Sequence, residues 1–143
     1  MYNLDSNSAG IPLAKLIGLA HIHKEQLLNE HLAPFGMSAA QFKVLVAIHF
    51  YEMNAPVDIC KYLSINGGSM TRMIDRLAKK ELLNKQPNPN DKRGVLLSLT
   101  ETGESLLKQC MDTIENTVAP LLIGDLSPQE VKQLSALLTR LIG

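Results

Sequence analysis

Residues 56 to 81 constrain the fold more than any other part of the sequence, because they contain two short helical patterns separated by a glycine-containing turn. Proline suits the first turn of a helix, so Pro56 marks the start of the first pattern. Residues 64 to 68 include two glycines and favour a turn. Each predicted helix has apolar positions at three- and four-residue steps: Val57, Cys60 and Leu63 in the first, and Met70, Met73, Ile74 and Leu77 in the second.

After the second helix the hydrophobic period changes to two, which predicts a β-hairpin. Residues 95 to 100 alternate, with the apolar odd-numbered positions on the better-buried face, and residues 82 to 86 can form the partner strand. Pro87 and Pro89 are expected to prevent regular ladder pairing, and the asparagine, aspartate and glycine residues that follow favour turns. Residues 88 to 94 are therefore predicted to form an exposed loop.

A helix, a turn containing glycine, a second helix and a two-stranded hairpin form the pattern of a winged helix-turn-helix. The second helix of such a motif enters the major groove of DNA with its N-terminal residues against the bases. The net charge of the chain is zero, but residues 67 to 94 contain 7 Lys and Arg against 3 Asp and Glu. Lys92 and Arg93, near the hairpin tip, belong to this positive segment. Contact with phosphates requires a local patch of this kind.

Long amphipathic helices are predicted on both sides of the motif. Residues 11 to 33 and 101 to 123 have apolar positions at helical spacing, and Ser127 to Glu130 form a capping box that opens a further helix. So small a motif cannot cover all of these apolar faces, and a second copy of the chain would cover them in a two-fold dimer. Two motifs related in this way read half-sites about one DNA turn apart. A monomeric all-helical bundle is the alternative.

The predicted architecture is mainly α with one small β-hairpin. Residues 38–100 are predicted to form the winged helix-turn-helix domain, and residues 1–37 and 101–143 a helical dimerisation region. A capping box at Ser38 and Gln41 opens the first helix of the domain. The predicted inward-facing residues of that helix are Phe42, Leu45, Val46 and His49.

The sequence contains no recognisable catalytic motif, and an enzyme is not expected. No apolar run approaches the roughly 18 residues of a membrane span, and the first 30 residues lack a signal peptide's pattern, so a cytoplasmic location is expected. Cys60 and Cys110 occur in apolar helical patterns and are predicted to be small core residues. His21, His23 and His31 have no acidic or thiol partner at a spacing that suits zinc.

Several segments closely resemble the multiple-antibiotic-resistance regulator (MarR) family, and in particular its namesake repressors. The most specific part is the Asp-x-Arg pair of Asp91 and Arg93 with the Leu-Thr-x-x-Gly at residues 99 to 103. The other matching segments are Leu27–Leu32, Ser38–Leu45, Ser69–Leu77, Lys79–Leu83 and Pro87–Gly94. The resemblance implies a homodimeric winged-helix repressor that binds a palindromic operator and releases it on binding a small aromatic or phenolic anion.

The pattern and the resemblance together assign roles to individual residues. Arg72 is the expected base contact and Lys92 an expected phosphate contact, while Arg93 is expected at the backbone or minor groove with Asp91 orienting its guanidinium. The full set of expected DNA contacts is Ser38, Gln41, Ser64, Ser69, Thr71, Arg72, Arg76, Asn90, Asp91, Lys92 and Arg93. The resemblance implies an effector pocket bordered by Pro56, Thr71, Met73, Arg76 and Lys85.

Two other classes of function remain open at this point. A winged-helix domain can bind a protein instead of DNA, and a small-ligand carrier would account for a pocket. A protein-interaction module needs an exposed apolar patch, whereas the second helix and the hairpin offer Arg72, Arg76, Lys92 and Arg93. The charge pattern therefore favours a DNA-binding function over a protein-interaction module.

Overall fold

The computed structural model describes residues 9–143, so the start of the predicted dimerisation region, residues 1–8, lies outside the described residues. The elements are, in chain order, α1 (Gly10–Leu32), a short 3₁₀ turn (Ala33–Phe35), α2 (Ala39–Phe50), α3 (Pro56–Leu63), α4 (Gly67–Lys79), β1 (Leu83–Asn88), β2 (Asp91–Leu99), α5 (Glu101–Thr113), a π-helical segment (Ile114–Val118), α6 (Ala119–Ile123) and α7 (Pro128–Ile142). The predicted fold class, mainly α with one antiparallel hairpin, is confirmed.

The hydrophobic core lies around α2, which contacts α1, α3, α5 and β2. Because neighbours surround this helix, it is buried on more than one side, and the single inward stripe predicted from the sequence is wrong in part. His49 is exposed, whereas Val44, Ala47 and Ile48 are buried. On α3 the predicted core residue Val57 is 59% exposed and Ile59 is fully buried in its place.

The hairpin is longer than predicted, and its tip is shorter. Pro87 pairs with Val95 in the ladder, Asn88 pairs with Asp91, and a bulge separates the two pairs. Proline lacks only the amide donor and is tolerated where that side of the strand faces solvent, as on an edge strand. The loop predicted for residues 88–94 therefore shrinks to the two residues between β1 and β2, where the Asn88 side chain accepts a hydrogen bond from the Asn90 amide at 2.9 Å.

The Leu-Thr-x-x-Gly segment forms the joint between the hairpin and α5. The Thr100 hydroxyl donates to the Glu81 carbonyl at 2.7 Å and accepts from the Gly103 amide at 2.9 Å, which caps α5. A Cβ atom on Gly103 would lie 2.2 Å from the Leu82 carbonyl oxygen, so only glycine permits this approach. The motif thus fixes the direction in which α5 leaves the winged domain.

The terminal helices leave their apolar faces uncovered in the single chain. Leu28 and Leu32, in the last turns of α1, are its buried residues, and α7 has none. The exposed large apolar side chains of these helices are Ile11, Leu13, Leu16, Ile17, Leu19 and Ile22 in α1, Leu121, Leu122 and Ile123 in α6, and Leu134, Leu137, Leu138, Leu141 and Ile142 in α7. So extensive an apolar surface is typical of an interaction site.

No single helix among the described residues has the length and apolar character to cross a membrane. The segments Gly10–Phe35 and Ala39–Phe50 meet that requirement only as a pair, and they are bent by 82° relative to each other.

Candidate nucleic-acid interface

Helix α4, the second helix of the helix-turn-helix and so its recognition helix, begins with an N-cap that was not predicted from the sequence. The Asn66 side chain accepts a hydrogen bond from the Ser69 amide at 2.8 Å, and Gly67 and Gly68 occupy the first turn that follows. Asparagine three residues before the capped amide is a recognisable N-cap signal. Because these glycines have no side chains, the exposed N-terminal end of α4 is open to close approach by another molecule.

The side chains of α4 separate into a core face and an outer face, as predicted. Met70, Ile74 and Leu77 are buried, and Thr71 and Arg72 are exposed. The Thr71 hydroxyl donates to the Gly67 carbonyl at 2.9 Å, and the Arg72 guanidinium donates to the Ser69 hydroxyl at 3.3 Å. Arg72 therefore lies along the N-terminal turns of the helix, the part that meets base edges in helix-turn-helix proteins.

The wing, which is the hairpin of β1 and β2, presents Asn90, Lys92 and Arg93 to solvent, but Asp91 does not act as predicted. The Asp91 carboxylate accepts a hydrogen bond from the Arg93 backbone amide at 3.0 Å. Among the ion pairs of residues 9–143, none joins the Asp91 carboxylate to the Arg93 guanidinium. The expectation that Asp91 orients this guanidinium is therefore wrong for this structure, since its carboxylate bonds the backbone at the start of β2. It shapes the tip of the wing and leaves the Arg93 side chain available.

Ser38 and Gln41 form the predicted capping box at the start of α2. The Ser38 hydroxyl accepts from the Gln41 amide at 3.1 Å, and the Gln41 side chain accepts from the Ser38 amide at 3.2 Å. Both residues are half-buried. Ser64, by contrast, is exposed in the turn between α3 and α4, in a left-handed backbone conformation. The Ser38 hydroxyl oxygen and the Gln41 side-chain oxygen thus already accept hydrogen bonds inside the protein.

The residues expected to border an effector pocket lie on three neighbouring elements. Pro56 begins α3, Thr71, Met73 and Arg76 lie on α4, and Lys85 lies on β1, and α4 contacts both of the others. Pro56 and Met73 are half-buried, whereas the other three are exposed. The Lys85 ammonium pairs with Asp75 at 2.7 Å, a contact that the sequence analysis did not anticipate.

A separate apolar cavity of about 300 Å³, widely open to solvent, lies between α1, α2 and the α5–α6 region. Lys24 is its one charged lining residue, and the other lining residues are Leu28, Phe42, Val46, Met111, Ile114, Val118, Ala119 and Leu122. This cavity has no signature in the sequence, because its walls come from helices distant along the chain. Each of these helices alone shows the pattern of an ordinary core face.

An ion pair ties α1 to the winged domain beside this cavity. Glu25 of α1 pairs with Lys43 of α2. Partial burial acts to raise the pKa of the Glu25 carboxyl, but the hydrogen bond and the charge of Lys43 outweigh it and hold this pKa below its ordinary value of 4.5. In addition, the Asn29 side chain accepts from the Ala39 amide at 2.8 Å. These contacts fix the angle between α1 and the first helix of the domain.

The cysteines are core residues, as predicted. Cys110 is fully buried and burial raises the pKa of its thiol, which disfavours the reactive thiolate. Cys60 is half-buried against the core. Within residues 9–143, histidine, cysteine, aspartate and glutamate side chains form no group of three that could hold a metal ion.

The helix-turn-helix, the polar outer face of α4 and the basic wing define a winged-helix protein of the DNA-binding class. The sequence model of the MarR family matches residues 37–95. The multiple antibiotic resistance protein MarR of Escherichia coli (strain K12) is 42% identical over 132 residues, which cover 92% of each chain. The chain belongs to the MarR family, whose members are DNA-binding transcriptional regulators and not enzymes. The resemblance found in the sequence is confirmed.

Solved structures agree with this assignment. A mutant of E. coli MarR, crystallised in complex with operator DNA, superposes with a TM-score of 0.83 at 40% identity, with 97% of this chain and 99% of that chain covered. Bordetella bronchiseptica BpsR, whose structure concerns regulation of DNA binding by 6-hydroxynicotinic acid, gives a TM-score of 0.81 at 26% identity. That match covers 92% of this chain and 99% of BpsR.

Proposed function

We propose that this protein is a homodimeric transcriptional repressor that binds a palindromic operator in the cytoplasm and is released by small aromatic or phenolic anions. The observation that carries the proposal is the presence of two different surfaces on one chain. One surface is the polar, basic face of α4 and the wing, and the other is the uncovered apolar face of the terminal helices. The first suits DNA and the second suits another copy of the chain.

Residues 38–100 are proposed as the DNA-reading domain, and residues 1–37 and 101–143 as the dimerisation region. The tight joint at Gly103 and the ion pair between Glu25 and Lys43 would couple the two regions rigidly. Such coupling is what a dimer needs in order to hold two recognition helices at a fixed spacing of about one DNA turn.

Within the reading domain, Arg72 is proposed to contact a base, because it lies at the N-terminal turns of α4. Lys92 and Arg93 are proposed to contact the DNA backbone or minor groove from the wing. Ser64, Ser69, Thr71, Arg76 and Asn90 are proposed as further backbone contacts. Ser38, Gln41 and Asp91 are proposed to help chiefly by shaping the backbone, since their side chains bond within the protein.

Operator binding by the purified protein tests the proposal. Fluorescence anisotropy with operator and scrambled duplexes at one salt concentration should show specific binding tighter by about a thousandfold or more. Equal affinity for both duplexes would favour the alternative, a winged-helix protein-interaction module. Sedimentation at micromolar concentration should show a dimer, and a stable monomer would rule out the proposed assembly.

The effector is proposed to bind at the surface formed by Pro56, Thr71, Met73, Arg76 and Lys85. Arg76 and Lys85 supply positive charge for a carboxylate or phenolate, and Met73 supplies an apolar wall. The apolar cavity near Lys24 is a second candidate, favoured by its volume and by an apolar lining that suits an aromatic ring.

Salicylate titrated into the operator complex tests both candidate sites, with acetate at equal ionic strength as the control for salt. A coupling of roughly 1–3 kcal/mol would weaken operator binding 5- to 150-fold. If Arg76→Ala reduces the weakening of operator binding by salicylate and Lys24→Ala does not, the effector binds near the wing. The reverse result assigns the effector to the cavity. Equal release by salicylate and acetate would overturn the proposal of an aromatic effector.

A further inference from the structure

The C-terminal end of the recognition helix is bonded on two sides. α4 ends at Lys79, and Lys80 and Glu81 form the turn that follows, with Glu81 in a left-handed backbone conformation. The Glu81 carbonyl accepts the hydrogen bond from Thr100, the residue that caps α5. The Lys80 ammonium donates to the Gly36 carbonyl at 2.6 Å. The end of α4 is therefore bonded both to the start of α5 and to the turn that joins α1 to α2.

The carbonyl that accepts the Lys80 hydrogen bond belongs to a well-fixed turn. Gly36 has a φ of 69°, a left-handed conformation that glycine adopts without strain. Its amide donates to the Ala33 carbonyl at 2.9 Å, and the Met37 amide donates to the Leu32 carbonyl at 3.2 Å. The side chains of Leu32 and Met37 are both buried. Because this turn is fixed at the end of α1, the bond from Lys80 relates the position of the recognition helix to that of α1.

Stability does not account for this contact. Lys80 and Gly36 are 44 residues apart in sequence and both are exposed. An exposed hydrogen bond contributes little to folding, because water offers the same donor and acceptor another partner. The contact instead bears on geometry, since it joins a dimerisation helix to the helix that reads DNA.

A two-fold dimer makes this geometry matter for DNA binding. Any change in the angle between α4 and α1 occurs in both copies, because the copies are related by symmetry. Such a change alters the separation and direction of the two recognition helices, which have to match half-sites about one DNA turn apart.

We propose that Lys80 is a positioning residue that sets the half-site spacing which the dimer accepts. It acts through the Gly36 carbonyl and needs no contact with DNA. Without this bond, the end of α4 keeps its bond to the α5 side and loses the one to the α1 side, so the recognition helix can tilt. This inference rests on the proposed function and names a residue that determines its specificity.

Operators with different half-site separations test the inference. One base pair inserted at the centre of the palindrome moves the half-sites apart by about 3.4 Å and rotates one relative to the other by about 35°. The wild-type protein should bind this duplex about tenfold or more weakly than the original operator. In Lys80→Met, which keeps a long side chain without a donor, the ratio of the two Kd values should fall about threefold or more. An unchanged ratio would overturn the inference.

Lys79→Met provides the matched control, because it removes the same charge from the neighbouring exposed residue. Lost charge attraction weakens binding to both duplexes alike, so the ratio of Kd values in Lys79→Met should equal that of the wild type. Lys80→Arg retains a donor of similar reach and should also keep the wild-type ratio. A ratio that falls equally in Lys79→Met and Lys80→Met would assign the effect to charge and would overturn the inference.

Urea unfolding separates positioning from general destabilisation. Because the bond is exposed, the unfolding midpoint of Lys80→Met should equal that of the wild type at the same protein concentration. A lower midpoint together with a changed ratio of Kd values would overturn the positioning role. Specific operator binding by the wild-type protein, with equal ratios in wild type and Lys80→Met, would remove the inference and leave the proposed function intact. Absence of specific binding by the wild-type protein would remove both.

Discussion

The winged domain and the terminal helices differ in where they place their apolar side chains. In the domain, Leu45, Ile59 and Leu77 are fully buried within one chain. In the terminal helices, Leu16 and Leu137 are 62% and 57% exposed, although both lie in apolar helical patterns. Helical periodicity therefore identifies an apolar face but does not say whether the same chain covers it.

The two regions also differ in what they expose. The outer face of α4 and the wing expose Arg72, Arg76, Lys92 and Arg93, whereas the terminal helices also expose a large set of leucine and isoleucine side chains. A charged surface can remain in water until DNA arrives, but a broad apolar surface cannot do so without cost. The comparison indicates that dimerisation should be permanent and DNA binding reversible.

The largest expected effect comes from placing a charge in the apolar surface of α7. Loss of one buried leucine costs about 1.5–3 kcal/mol, and in a two-fold dimer each substitution occurs in both copies, so this cost applies twice. Leu137→Glu should therefore raise the dimer dissociation constant by about a hundredfold or more, as measured by sedimentation equilibrium. Gln133→Glu adds the same charge to a polar position of the same helix and should leave the dimer intact. An unchanged dimer in Leu137→Glu would exclude α7 from the interface.

The joint between the two regions should be nearly as sensitive. Gly103→Ala would force a Cβ atom to within 2.2 Å of the Leu82 carbonyl oxygen, so backbone must shift. Overpacking of this kind costs about 1–3 kcal/mol. Urea unfolding at a fixed protein concentration measures the loss of unfolding free energy, with Ser105→Ala at an exposed position of α5 as the control. A Gly103→Ala protein as stable as the wild type would mean that the close approach is not needed.

The reading surface should divide into base readers and backbone contacts. Arg72→Ala should cost roughly 1–3 kcal/mol of operator binding and should relax specificity at one position. Lys92→Ala should weaken binding to all sequences and make the salt slope shallower by about one unit. Affinities for a panel of single-base operator variants, measured at several salt concentrations, check both. Identical specificity profiles and slopes for the two variants would contradict the division.

The smallest expected effect concerns the ion pair that links α1 to α2. Because the folded protein holds the pKa of Glu25 below 4.5, the pair contributes stability above that pH and loses it as the pH falls through the folded pKa. The contribution should be about 1 kcal/mol at most, since the pair is only partly buried. Wild type and Glu25→Gln should therefore differ in unfolding free energy at pH 7 and converge toward pH 3.

Glu30→Gln removes an exposed carboxylate from the same helix and serves as the control for net charge. A difference between wild type and Glu25→Gln that stays constant from pH 7 to pH 3 would show that the charge of Glu25 is not responsible.

The elements of the fold were predictable because local signals agree with tertiary structure. The capping box at Ser38, the proline at the start of α3 and the buried stripe of α4 all occur where the sequence predicts them. His49 and Val57 were assigned wrongly because burial depends on which neighbours cover a helix, and a single sequence does not specify this. Pro87 was assigned wrongly because it lies on an edge, where a missing amide is tolerated.

The candidate site was predictable in its residue types and less so in its contacts. The outward position of Arg72 follows from helical period alone. The bond from the Asp91 carboxylate to the Arg93 amide and the pairing of Lys85 with Asp75 depend on how the hairpin turns beside α4. Charge pattern gives a surface its sign, but it does not determine which charges neutralise each other.

A footprint of the protein on DNA containing its operator tests most directly whether a symmetric dimer reads DNA with two winged domains. Protection should cover a palindrome whose two half-sites are centred about one helical turn, roughly 34–36 Å, apart. Each half-site should be occupied by the winged domain of one copy. Protection of a single half-site, or uniform protection without sequence preference, would contradict the dimeric repressor.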